Sequence, residues 1–253
     1  VGQVVETTRR DLQEGQKIVS IMGEMGRAFD GSYAEYALLP NEQIYPVDSQ
    51  LPWSELAAVP ETYYTAFGSF KNLQIKEGDS ILVRAATSGV GLAFLKLVKA
   101  QFPQNRVVGA VRSLAKKDLL QHQGFDEIIL DEKGVLQTEE KFDKILELVG
   151  PATLKNSFDH IQSAGIICNT GQLGGKWYVE EFDPIVEIKN NSFLTSFYSG
   201  NVSQQLFDEL FSYIDVYQIN VSPQRIFSLE QIPAAHSYIE SQAGFGKVVV
   251  LND

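Results

Sequence analysis

The chain has 253 residues, 44% of them hydrophobic and 21% charged, enough for a buried core and for one large domain or two ordinary ones. No long uncharged apolar run occurs, so no membrane-spanning segment is expected, and the formal net charge of −11 argues against nucleic acid or an anionic membrane surface as a partner. The single cysteine, Cys168, excludes an intrachain disulfide and fits a reducing cytoplasm, and its distance along the chain from His122, His160 and His236 leaves no metal-ligand spacing.

Glu6, Arg9, Arg10 and Asp11 interrupt any apolar stretch that a signal peptide would need. Val1 opens in what reads as mid-strand, so a fragment or a processed product is expected. Residues 1–47 read as short strands at 1–6, 17–21 and 34–38 with a return at Ile44, punctuated by Gly15, Gly23, Gly26, Asp30-Gly31 and Pro40. Helical stretches follow on either side of Pro60. From Ser80 the pattern alternates. Strands are expected at 80–84, 106–112, 127–130, 142–148, 165–170 and 191–197, with helices at 90–101, 114–122 and 153–161. Near-continuous apolar strands in this order predict a parallel sheet covered on both faces. An amphipathic helix over 202–217 carries Leu206, Leu210, Phe211 and Ile214 on one stripe. A strand at "RIFSL", a helix at 231–241 and a strand in "GKVVVLND" close the chain. With β-elements at both ends of an α/β block, the tail is expected to return to the first unit.

The stretch "SILVRAATSGVGLAFLKLVKAQF" is a strand, a glycine turn and a helix in that order. Such a turn holds a dinucleotide pyrophosphate, because main-chain N–H groups at the helix N-terminus point at the phosphates and the helix dipole favours their charge. Ala86 and Ser88 stand at the first two positions of the usual glycine pattern, whereas Gly89 and Gly91 remain. Thr87, Ser88, Gly89 and Val90 are the candidate phosphate binders; the bland alternative is a plain tight turn. At the tip of the following strand no acid is present to bind a ribose 2′-hydroxyl. Arg112, Ser113 and Lys116 or Lys117 stand there instead, suited to a 2′-phosphate by charge-assisted hydrogen bonds, or else serving as ordinary solvated residues of a helix start. NADPH is favoured over NADH.

These residues resemble the corresponding segment of the medium-chain dehydrogenase/reductase superfamily, and within it the zinc-independent quinone oxidoreductase branch. "DGSYAEYALLP", "LAAVPETYYTAFGSF", "GFDEIILD", "GQLGG" and "GKVVVL" resemble further motifs of that branch, in order along essentially the whole chain. The resemblance implies an α/β fold: a Rossmann doubly wound parallel sheet plus a partial GroES-like β-rich domain. The expected division is 1–50 for the β domain, 51–218 for the dinucleotide-binding domain and 219–253 for a tail rejoining the β domain. It also implies an N-terminal segment that this chain lacks. The zinc branch's catalytic cysteine falls at Glu61, and no cysteine-rich lobe precedes "YAEY", so no zinc is expected. Asp131 stands where NADPH-binding members often carry a tyrosine, and the chain ends in Asn252-Asp253 where some members have a basic residue.

By the same resemblance, Thr65 lies near the nicotinamide end of the coenzyme, and Val149, Gly150, Gly171 and Gln172 border its ribose and nicotinamide. Phe197 faces coenzyme or core; Tyr33 donates to substrate or belongs to a strand; Glu61 faces a cleft or a surface turn. No catalytic residue is named. The implied activity is NADPH-dependent hydride transfer, without metal, to a quinone or an activated alkene. The alternatives are an enoyl- or acrylyl-thioester reductase and a non-catalytic NADPH-binding module or redox sensor. The expected partners are a small electrophilic substrate and a second copy of the chain, paired through the edge strand in "NNSFLTSFYS".

Overall fold

A computed structural model of the chain describes residues 1–241 and 245–252. Within the tail expected at 219–253, residues 242–244 and 253 lie outside the described residues. The chain divides into two compact units, Val1–Tyr64 with Ser199–Asp253, and Thr65–Tyr198.

The first segment forms β1 (Gly2–Gln3), β2 (Lys17–Val19) and β3 (Tyr45–Pro46), an antiparallel sheet in that order. Val4, Leu12 and Ile18 bury a small core beside it. Residues 34–38, expected as a strand, are irregular, and Tyr36 and Leu38 are exposed. The reason lies in pairing. A strand needs a neighbouring strand for its N–H and C=O groups, and among the described residues none pairs with this segment. Two helices, α1 (Trp53–Leu56) and α2 (Thr62–Leu73), then flank Pro60, with Glu61 in the left-handed region at φ 60°.

The second unit alternates as the pattern demands. Its elements are β4 (Ile81–Arg84), α3 (Gly89–Gln101), β5 (Val107–Val111), α4 (Lys117–His122), β6 (Glu127–Glu132), β7 (Val135–Leu136), β8 (Phe142–Glu147), α5 (Leu154–Asp159), β9 (Ile161–Asn169), α6 (Pro184–Glu187) and β10 (Phe193–Ser196). They build a seven-stranded sheet in the order β10-β9-β8-β4-β5-β6-β7, parallel except where β7 turns back on β6. That hairpin was not legible in the sequence; its two-residue turn places Lys133 and Gly134 both at positive φ. Every residue of β4 and β5 is buried, as strands covered on both faces must be. The chain runs outward from β4 to β6, then returns to β8 and runs the other way. The order therefore reverses between β4 and β8, the switch point of a Rossmann sheet, and ligands of such sheets lie at the carboxyl ends of the strands there.

The chain then returns to the first unit through α7 (Gln204–Tyr217), β11 (Arg225–Ser228), α8 (Ile232–Glu240) and β12 (Val248–Leu251), with β11 and β12 paired in parallel. Packing places residues 51–64 and 199–218 with this unit, whereas the sequence reading drew them into the sheet domain. The cause is the apolar stripe of α7. Phe207 packs at a tilt against the rings of Tyr45 and Tyr64, and Gln204 donates to the Pro46 carbonyl.

Candidate functional site

The turn between β4 and α3 is held from both sides. Ala85 takes positive φ, at 61°, and its carbonyl accepts from the Ser88 amide at 3.0 Å. Ser88 caps α3: its Oγ accepts from the Gly91 amide at 3.0 Å, and its carbonyl accepts from Leu92. The first amides of a helix have no intrahelical acceptor, so those of Gly89 and Val90 are left to serve an anion. A Cβ on Gly91 would sit 3.0 Å from the Ala85 carbonyl, the close helix–strand approach that a dinucleotide turn uses. Ala86, in place of the first glycine, has its methyl accommodated across the sheet. Gly109 of β5 lies opposite, and a Cβ there would come within 2.8 Å of the Ala86 Cβ. The cradle thus fits a dinucleotide despite the altered pattern. Thr87 is partly buried in the same turn.

At the tip of β5, Arg112, Ser113 and Lys117 are exposed. Arg112 and Lys117 enter no ion pair among the described residues. The Ser113 Oγ accepts from the Ala115 amide at 3.3 Å, so it caps the short turn before α4. β5 pairs directly with β4, which brings this basic tip beside the phosphate turn.

Val149, Gly150, Gly171 and Gln172 come together in the loops after β8 and β9. Gly150, at φ 90°, could carry no Cβ: one would lie 2.3 Å from the Gly171 carbonyl. A Cβ on Gly171 would lie 2.1 Å from the Leu148 carbonyl. Amides of Leu173 and Gly174 donate to the Leu148 and Val149 carbonyls, locking one loop to the other. On α2, Thr65 is partly buried, and its carbonyl accepts from Ser69, whose hydroxyl is hydrogen-bonded to Thr170 at 2.8 Å. Thr65 therefore lies one helical turn from a residue bonded at the mouth of β9. Phe197 covers α2 where Gly68 has no side chain; a Cβ there would fall 2.1 Å from the ring.

The sequence reading missed a buried charge cluster at the switch point. Arg84, fully buried at the end of β4, donates from Nε and Nη2 to Asp131 Oδ2 at 3.1 and 2.6 Å. It also donates to the carbonyls of Thr153 and Gly134, to Asn156 Oδ1 and to Ser157 Oγ. Glu147, fully buried at the end of β8, lies 3.7 Å from Arg84. Asp131, at the position where the resemblance expects a tyrosine, thus turns inward onto Arg84. An arginine among apolar residues in a predicted strand was the available signal, because a buried guanidinium requires carboxylate partners.

Among the described residues, the donor set does not fit zinc. Cys168 is buried in β9 beside Thr170, and burial pushes its thiol above the ordinary value, against the thiolate that a zinc ligand must be. Among the described residues, no group of three or more His, Cys, Asp or Glu side chains gathers at one point. In the first unit, the Tyr33 hydroxyl and His236 Nε2 are hydrogen-bonded at 2.8 Å, and Tyr33 is in no strand.

The chain is similar to several known proteins. The model of a family described as zinc-binding dehydrogenase matches residues 123–250. A protein described as a probable quinone oxidoreductase, from Schizosaccharomyces pombe, is 24% identical over 99% of this chain and 77% of its own length. A probable polyketide synthase of Dictyostelium discoideum matches at 24% identity over 86% of this chain, which spans only 8% of that protein. Among solved structures, Bacillus subtilis YhfP with NAD bound superposes with a TM-score of 0.84 at 23% identity, covering 99% of this chain and 79% of that one. The YhdH oxidoreductase of Salmonella enterica in complex with NADP gives 0.83 at 16% identity, covering 98% and 79%.

Proposed function

Because the chain belongs to the zinc-binding dehydrogenase family, as a quinone oxidoreductase-like medium-chain dehydrogenase/reductase, we propose that it is an NADPH-dependent oxidoreductase acting without metal on quinones or α,β-unsaturated carbonyl compounds. The observation that carries this reading is the cradle at the switch point, with amides of Gly89 and Val90 unspent and the exposed Arg112 and Lys117 on the adjoining strand tip. The coenzyme, when bound, supplies a hydride, chemistry that the side chains lack. The chain's own part is to bind, orient and keep out water. Amides at 87–90 take the diphosphate, Arg112, Ser113 and Lys117 take the 2′-phosphate, and Thr65, Val149, Gly150, Gly171 and Gln172 wall the nicotinamide end. Quinones and enones suit a site without a Lewis acid, since their low-lying acceptor orbitals need little polarisation when held close and aligned. NADPH is chosen over NADH on the charge at the β5 tip alone; the similar structures carry NAD in one case and NADP in the other.

A second reading is reduction of an enoyl thioester, another activated alkene conjugated to a carbonyl. A third is an NADPH-binding module or redox sensor without turnover. Two copies are proposed to pair through β10, the open edge of the sheet, where Phe193 and Leu194 are exposed. The reducing compartment expected from a single cysteine, where NADPH is supplied, goes with this reading. Calorimetry with NADPH, followed by NADPH consumption with a quinone and with an enoyl thioester, tests the proposal. Binding with quinone turnover supports the first reading, and turnover of the thioester alone supports the second. Tight binding without turnover supports the third, and no heat with either nicotinamide coenzyme removes all three.

A further inference from the structure

Arg84 and Glu147 end the two strands between which the sheet reverses direction. Each carries a job beyond its charge. Glu147 Oε1 accepts from the amides of Val149 and Gly150 at 2.9 and 3.0 Å, and Oε2 accepts from the Ser157 hydroxyl at 2.5 Å. The Glu147 carbonyl accepts from Thr170 and Gly171. Arg84 stands next to Ala85, the first residue of the turn before α3, and its guanidinium donates to the Thr153 carbonyl, at the far end of the loop after β8, and to Ser157 on α5. Because Gly150 and Gly171 are in contact without room for a methyl, the loop over 148–150 cannot shift without moving 171–174.

Resting on the coenzyme reading above, we propose that Arg84 and Glu147 are positioning residues. They form a buried strut that fixes the two nicotinamide-side loops against the phosphate turn without touching the coenzyme. A cluster of one guanidinium and two carboxylates is costly to desolvate, and a well-packed apolar core would give equal or greater stability. What it supplies here is direction, because each oxygen of Glu147 is committed to a different segment. Glutamine has one oxygen where glutamate has two, so it cannot serve the loop amides and the Ser157–Arg84 side in the same way at once.

The test compares the full chain with its Glu147→Gln and Ser157→Ala variants, the second being the milder change. In ligand-free protein, amide hydrogen exchange at 149–150 and 171–174 should rise about tenfold, the loss expected for a charge-assisted hydrogen bond, while β5 and β6 change by less than about twofold. The dissociation constant for NADPH should rise about tenfold, and that for 2′,5′-ADP, which has no nicotinamide, by less than about twofold. Exchange that rises uniformly across the sheet, or equal losses with both ligands, would mean that the cluster only stabilises the fold, and would overturn the proposal; so would unchanged exchange at the loops. If the wild type binds neither ligand, the coenzyme reading falls, and the exchange measurement by itself still decides whether the strut holds the loops.

Discussion

At the candidate site, what single residues can do is decided by their neighbours. Ala86 and Ser88 break the usual glycine pattern, yet one is accommodated by Gly109 and the other becomes the cap of α3. Arg112 and Lys117 are exposed side chains that enter no ion pair among the described residues, so their charge is available to a ligand. Reversing both, Arg112→Glu with Lys117→Glu, should weaken NADPH by about a hundredfold, roughly tenfold for each lost charge-assisted contact, and NADH by less than about threefold. Fluorescence titration with each coenzyme measures this, and equal losses would refute the choice of NADPH.

At the scale of elements, the working unit is β4, its turn and α3. The strand is buried throughout and apolar up to its closing Arg84, the turn uses small residues, and Ser88 stops the helix from fraying into the site. Ser88→Ala removes the acceptor for the Gly91 amide, so the ligand-free chain should lose about 1 kcal/mol of stability, read from a urea midpoint. An unchanged midpoint would show that the cap contributes nothing. This element was legible because all of its determinants are local: an apolar run, turn residues and an amphipathic helix in succession. The segment at 34–38 shows the opposite case. Its alternating pattern reads as a strand, but a strand exists only with a partner, and the sequence does not say whether one is adjacent.

For the whole molecule, the seven-stranded sheet leaves β10 at one end, with Phe193 and Leu194 exposed and with neither lysine nor proline in the strand to block pairing. Sedimentation velocity at micromolar concentration should give a dimer, and Leu194→Lys should shift it toward monomer by placing a charge on the edge. A monomeric wild type would refute pairing through β10. The opposite edge is occupied by β7, a short strand on a tight turn, which offers little to a second copy.

The sequence by itself determined the order of strands and helices across the α/β block, apart from β7 and α6, together with the small-residue turn before α3 and the basic tip of β5. Each of these depends on neighbours within a few residues or on composition. Only the tertiary structure decided that α7 packs with the first unit, that Gly150 presses on Gly171, and that Asp131 turns inward to Arg84 beside Glu147. Those contacts join residues distant along the chain, and what selects them is the desolvation of a buried guanidinium and the space left by a missing Cβ. Both are set by which strands become neighbours, and no local pattern encodes that.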